Sequence, residues 1–149
     1  MIHDRKVDFE LVGRELPGLK DLFAGYNEDI VAAYLFGSLA SGTVTPLSDI
    51  DIAVLFRKDL TPDIMESLEN DLYFKLSKRF HTDEIDLIIL NTAPLSIRYG
   101  VLRQKQLLFY QEKLKVVDFE TETISDYLDF KPYREEMDRE FLLGLANGN

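Results

Sequence analysis

Residues 30–56 read IVAAYLFGSLASGTVTPLSDIDIAVLF, and the fold is decided here. The opening run, Ile30 to Phe36, is continuously apolar and of strand length, the pattern of a β-strand buried on both faces. Gly37-Ser38 closes it. Leu39 to Ser48 is small and polar, with Gly42 and Pro46, and predicts a loop or a short helix. A second strand is expected from Asp49 to Phe56 (DIDIAVLF), apolar except for its two aspartates.

Outward from this stretch, helices and strands follow one another closely. Upstream, a first helix is predicted around Pro17 to Gly25, ended by Gly25-Tyr26-Asn27. Downstream, Thr61-Pro62-Asp63 supplies an N-cap, a proline at the first helical position and an acidic first turn, so a helix is predicted from there to about Phe80. Met65, Leu68, Leu72, Leu76 and Phe80 recur every three or four residues, which gives that helix one apolar stripe and leaves Glu66, Lys75 and Lys78 outside. Ile85 to Leu90 (IDLIIL) predicts a third strand, Pro94 to Arg103 a short helix, and Leu107 to Tyr110 a short strand. From Lys113 onward a long helical region is expected, with Pro132 permitting a bend. The fold class is α/β (α+β), a mixed sheet flanked by helices. A single domain over residues 1–149 is expected, with a core of about residues 1–112 and a helical region over 113–149.

The chemistry is concentrated in the carboxylates. Side chains at i and i+2 of a strand leave the same face, so Asp49 and Asp51 point one way while Ile50 and Ile52 point the other. Adjacent carboxylates in an apolar strand repel, and one is pushed toward protonation unless a cation lies between them. Asp86 begins another apolar strand and can complete a three-carboxylate cluster able to hold two Mg²⁺ ions; Glu84, on the same face, is the competing third member. Gly37 leaves room for backbone N–H groups to approach phosphate oxygens, and the Ser38 hydroxyl adds a donor. Alone, a Gly-Ser pair is usually a turn and two aspartates at a strand end are often solvated. The register changes this, because Gly-Ser, ten residues, Asp, one residue, Asp would arise by accident in roughly three of a thousand chains of this composition.

That register resembles the signature of the polymerase-beta-like nucleotidyltransferases, and the chain is most similar to their minimal, MNT-type members. The resemblance spans about Ile30 to Leu145 and is carried by YLFGS, SDIDIAVLF, EIDLIIL and the C-terminal TISDYLDFKPYREEMDREFL. It implies an antitoxin paired with a HEPN-type ribonuclease toxin, transferring AMP from ATP to a tyrosine hydroxyl of that partner. By position, Gly37 and Ser38 would contact the triphosphate, and Asp49, Asp51 and Asp86 would bind Mg²⁺ and act in catalysis. The implied reaction is in-line attack of the hydroxyl on the α-phosphorus with pyrophosphate leaving, and Asp86, or water on its metal, is the candidate to accept the proton. The chain departs from the family at one point: an Arg is common just after the Gly-Ser pair, and here Leu39, Ala40 and Ser41 follow. Arg98, Arg103 or Lys105 would have to supply phosphate charge instead. Two alternatives keep other classes open: an antitoxin that neutralises its partner by docking alone, and a nucleotidyltransferase for a small hydroxylated molecule.

Composition narrows the remaining possibilities. A formal charge of -10 repels a nucleic-acid backbone, so a polynucleotide partner is not expected, whereas a basic protein partner is accommodated. The absence of cysteine leaves oxygen ligands, with His3 and His81 the two imidazoles, and favours a hard cation. No apolar stretch is long enough to span a membrane and the first residues lack a signal-peptide core, so a cytoplasmic protein is expected. His81 reads as a helix C-terminal residue and Tyr34 as core. The aromatic C-terminal region, with Phe119, Tyr127, Phe130, Tyr133, Met137 and Phe141, either covers the domain's own sheet or forms a partner-binding face.

Overall fold

In the computed structural model, residues 7–146 are described. Four strands form one mixed sheet in the order β3-β2-β1-β4, where β1 is Ile30–Phe36, β2 Ile50–Phe56, β3 Ile85–Ile89 and β4 Gln106–Tyr110. β1 is antiparallel to both its neighbours, and β2 is parallel to β3. The parallel pair needs a crossover, and helix α4, Pro62–Phe80, provides it. It starts where the sequence predicts: Pro62 opens the first turn and the Thr61 hydroxyl accepts from the Ile64 N–H at 3.3 Å. His81 ends it in the left-handed conformation at φ 55°, its N–H bonded to the Ser77 carbonyl.

The N-terminal segment extends the sequence reading. The helical stretch expected around Pro17 to Gly25 is present as a single 3-10 turn at Leu16–Gly18 followed by α2 at Leu19–Ala24, and ahead of it the chain forms a further helix, α1, at Phe9–Glu15. The start of α1 is set by Asp8, whose carboxylate accepts from the Glu10 and Leu11 N–H groups at 3.1 and 3.2 Å. Pro17 lies in the first turn of the 3-10 segment that separates α1 from α2, a position where its missing N–H costs nothing.

Both sheet faces are covered, which is why β1 and β2 read as unbroken apolar runs. On one face Val12, Leu19 and Phe23 of α1 and α2 join Leu72, Leu76 and Phe80 of α4 over Ile50, Ile52, Val54 and Phe56. On the other face Val101 and Leu102 of α5 (Leu95–Arg103) and Val116 of α6 (Lys113–Ala146) cover Val31, Tyr34, Ala53 and Leu55. α6 runs through Pro132 as one helix. Asn91, just after β3, ties off β2: its side chain accepts from the Phe56 N–H at 2.8 Å and donates to the Phe56 carbonyl at 2.9 Å, replacing a missing strand partner. Among the described residues, no helix is long and apolar enough to cross a membrane.

Candidate active site

The end of β1 delivers Gly37 into a short helix, α3 (Gly37–Ser41), which turns back through Gly42. Its capping residue is Phe36, which offers no side-chain acceptor, so the first N–H groups of α3 are left without a side-chain cap. Gly37 has φ 70°, a conformation costly for any residue with a Cβ, and a Cβ there would overlap the Asp51 carboxylate. The register explains the contact, since Phe36 pairs directly with Asp51 across β1 and β2. Glycine is therefore favoured twice, by the positive φ and by the Asp51 carboxylate that any side chain would have to displace.

A self-bonded turn leads into the aspartates. The Ser48 hydroxyl accepts from the Thr45 N–H at 2.8 Å, and the Ser48 N–H donates to the Thr45 carbonyl at 3.0 Å. Asp49 follows outside the strand and is exposed, whereas Asp51 lies within β2 and is half-buried. In the parallel pairing Asp51 stands opposite Asp86, and in-register neighbours of a parallel sheet share a face. Burial first, then Asp86, then Asp49 push the Asp51 carboxyl up to about 6. Glu84 lies one residue ahead of β3 and enters the sheet by its backbone, its carbonyl accepting from the Ile50 N–H at 3.0 Å. The pairing of Ile50 with Ile85 and of Asp51 with Asp86 makes Asp86 the carboxylate beside Asp51 in the sheet.

Clustered anions with one carboxyl driven toward protonation are the charge pattern that a hard divalent cation relieves, so this donor set fits Mg²⁺. The fit requires some closing of the side chains, because no three carboxylates or imidazoles among the described residues are gathered in coordinating geometry.

Basic residues lie at the same end of the sheet. Gln106 pairs with Leu35, near the end of β1, so Arg103 and Lys105, just ahead of β4, are carried to the edge where Gly37 sits. Lys105 is paired with Glu120 of α6, which also accepts from the Tyr34 hydroxyl at 2.8 Å. Burial, reinforced by that bond, raises the Tyr34 pKa and keeps the hydroxyl protonated. This Tyr34, Glu120 and Lys105 chain escapes the sequence reading; its signal is the one polar group in IVAAYLF, which must find a partner once buried. Arg98 points its buried Nε at no acceptor. A cavity of about 520 Å³, lined by Val31, Leu55, Phe56 and Phe119 together with charged residues of both signs, among them Arg57, Lys115, Asp118 and Glu122, opens at the opposite end of the sheet from the carboxylates.

The family model for the polymerase beta nucleotidyltransferases matches residues 18–114, which contain Gly37-Ser38 and all three aspartates. The chain belongs to that family. No curated protein is similar enough in sequence to count as a relative of this nucleotidyltransferase. Among solved structures, one of a toxin–antitoxin with AMP-PNP is 27% identical with a TM-score of 0.66, over 83% of this chain and 97% of that one. The toxin–antitoxin MntA–HepT is 24% identical with a TM-score of 0.64, over 87% and 98%. A tri-AMPylated Shewanella oneidensis HEPN toxin in complex with MNT antitoxin matches at 24% and 0.60, over 85% and 98%. These similarities give this nucleotidyltransferase the polymerase-beta-like fold, with the long C-terminal helix added to the mixed sheet.

Proposed function

We propose that this nucleotidyltransferase is Mg²⁺-dependent, transfers AMP from ATP to a tyrosine hydroxyl of a partner HEPN toxin, and thereby acts as the antitoxin. The observation that carries the reading is the register that sets Asp51 beside Asp86, with Gly37 stripped of a side chain against the Asp51 carboxylate. Support for the nucleotide comes from the similar toxin–antitoxin structure with AMP-PNP, and support for the reaction from the AMPylated HEPN toxin held by an antitoxin of the same fold.

Asp49, Asp51 and Asp86 would hold the metal. When bound, two Mg²⁺ ions would lower the pKa of the acceptor hydroxyl and neutralise charge on the triphosphate. The uncapped N–H groups of α3 and the Ser38 hydroxyl receive phosphate oxygens, orienting the α-phosphorus. The tyrosine oxygen then forms its bond to the α-phosphorus as the bond to the bridging oxygen breaks, and pyrophosphate leaves in line. Asp86 accepts the hydroxyl proton. Arg103 supplies positive charge at this edge, since Lys105 is held by Glu120.

A docking-only antitoxin is the second reading. It is favoured by one feature: Leu39 and Ala40, where a phosphate-binding arginine is common in the family, pack on the core instead. Incubating the chain with Mg²⁺, ATP and the product of the neighbouring open reading frame, then weighing that partner by mass spectrometry, separates the two. AMP adducts that disappear with Asp49→Asn support transfer. A stable complex without adducts replaces transfer by docking.

A further inference from the structure

One apolar stripe of α6 starts on the sheet, and only half of it has anything beneath it. Over its first turns Val116 and Thr123 are buried, Phe119 packs against the α5 and β1 cluster, and Tyr127 stacks on Tyr99 of α5 with ring centroids 3.8 Å apart. These positions recur every three or four residues, the spacing of one helix face. The same face continues through Phe130, Met137 and Phe141, with Tyr133 at its border. There it is bare: Phe130 is 48% exposed, Tyr133 69%, Met137 64% and Phe141 68%. Among the described residues, a strip about 17 Å long therefore repeats the pattern that elsewhere covers a sheet, but has no sheet under it.

The direction of the helix places this strip. α6 begins after β4, at the end of the sheet far from Gly37, and by Glu120 it has come back to Lys105, just ahead of β4. The rest of the helix leaves the sheet on the carboxylate side. Charge then selects the occupant. Between Asp126 and Ala146 six carboxylates (Asp126, Asp129, Glu135, Glu136, Asp138, Glu140) face three cations (Lys131, Arg134, Arg139). A second copy would bring the same acidic flanks and another net charge of -10, so self-pairing is opposed.

We propose that Phe130 to Phe141 of α6 is the docking arm for the partner toxin, its apolar stripe entering a groove rimmed by basic side chains. This rests on the toxin-partner reading above. A helix that both covers the catalytic sheet and projects beyond its carboxylate end fixes a bound partner relative to Asp51 and Asp86.

The test uses the full-length chain with Met137→Asp and Phe141→Asp together, measuring affinity for the purified HEPN protein by calorimetry. A control, Arg139→Asp, adds the same negative charge at an exposed polar position on the opposite side of the same helix. The double variant is expected to bind at least about 30-fold more weakly, as loss of interface anchors predicts, while the control stays within about threefold of wild type. Both variants keep the wild-type rise in melting temperature with Mg²⁺ and ATP, which reports an intact catalytic fold. Undiminished binding by the double variant overturns the proposal. So does a wild-type dimer that the double substitution converts to a monomer with partner affinity unchanged. A wild type that binds the partner through this arm yet never AMPylates it removes the transferase reading and leaves the docking arm standing.

Discussion

Replacing Asp51 with Asn should stabilise the metal-free protein at alkaline pH while removing its response to metal. Burial and the neighbouring Asp86 and Asp49 raise the Asp51 carboxyl from 3.8 to about 6, so it binds a proton more tightly in the folded than in the unfolded chain. Its contribution to stability is complete below the ordinary carboxylate range and is lost as pH rises through about 6. A shift of this size corresponds to about 3 kcal/mol if the group were fully insulated, and solvent screening of a half-buried side chain reduces this to about 1.5 kcal/mol. In EDTA, Asp51→Asn should therefore exceed wild type by about 1.5 kcal/mol at pH 8 in urea unfolding, with the difference shrinking toward zero near pH 4. Adding Mg²⁺ or Mn²⁺ at pH 8 should reverse the order, because a metal that binds only the folded state stabilises wild type, and the proposed site would lack one of its oxygen ligands in the variant. The reasoning fails if Asp51→Asn is no more stable than wild type at pH 8, if the difference is the same at pH 4 and pH 8, or if both proteins gain equally from metal.

Other positions give independent checks. Gly37→Ala forces a Cβ onto the Asp51 carboxylate at a positive φ, so it should cost about 1–3 kcal/mol in thermal unfolding and lower AMP transfer by at least about 100-fold. Asn91→Ala leaves both the N–H and the carbonyl of Phe56 without their side-chain partner and should cost about 1–3 kcal/mol, with little effect on ATP affinity because Asn91 sits at the far end of the sheet. Arg103→Ala should weaken ATP binding several-fold in calorimetry, whereas Lys105→Ala, already neutralised by Glu120, should weaken it less; the reverse order would show that Lys105 leaves Glu120 for the phosphates.

The middle of the chain was legible because its signals are local. The apolar runs at Ile30 and Ile50, the Thr61-Pro62 start and the three-and-four spacing to Phe80 each depend on neighbours in sequence, and the strands and α4 fall at those places within a residue. At the N-terminus the helical stretch from Pro17 is legible, whereas α1 is not, because its seven residues carry a single buried position, Val12, and are held by packing on the core more than by a local period. The site shows the same division. Spacing brings Asp49 and Asp51 together, but a preference between Asp86 and Glu84 needs the strand register, which depends on how α4 returns the chain beside β2. The Tyr34, Glu120 and Lys105 chain links three distant segments and has no sequence period to announce it. For α6 the two readings of the aromatic region apply to different halves: Val116 to Tyr127 covers the sheet and α5, and Phe130 to Phe141 is left over.

The most direct test of AMP transfer follows the label. Two reactions with the partner HEPN protein and Mg²⁺ are run in parallel, one with ATP labelled at the α-phosphate and one with ATP labelled at the γ-phosphate. Attack at the α-phosphorus predicts that the HEPN protein acquires only the α-label, that pyrophosphate appears in equal amount, and that Asp86→Asn abolishes both. Label from the γ-phosphate on the partner, or no label in a stably formed complex, would contradict it.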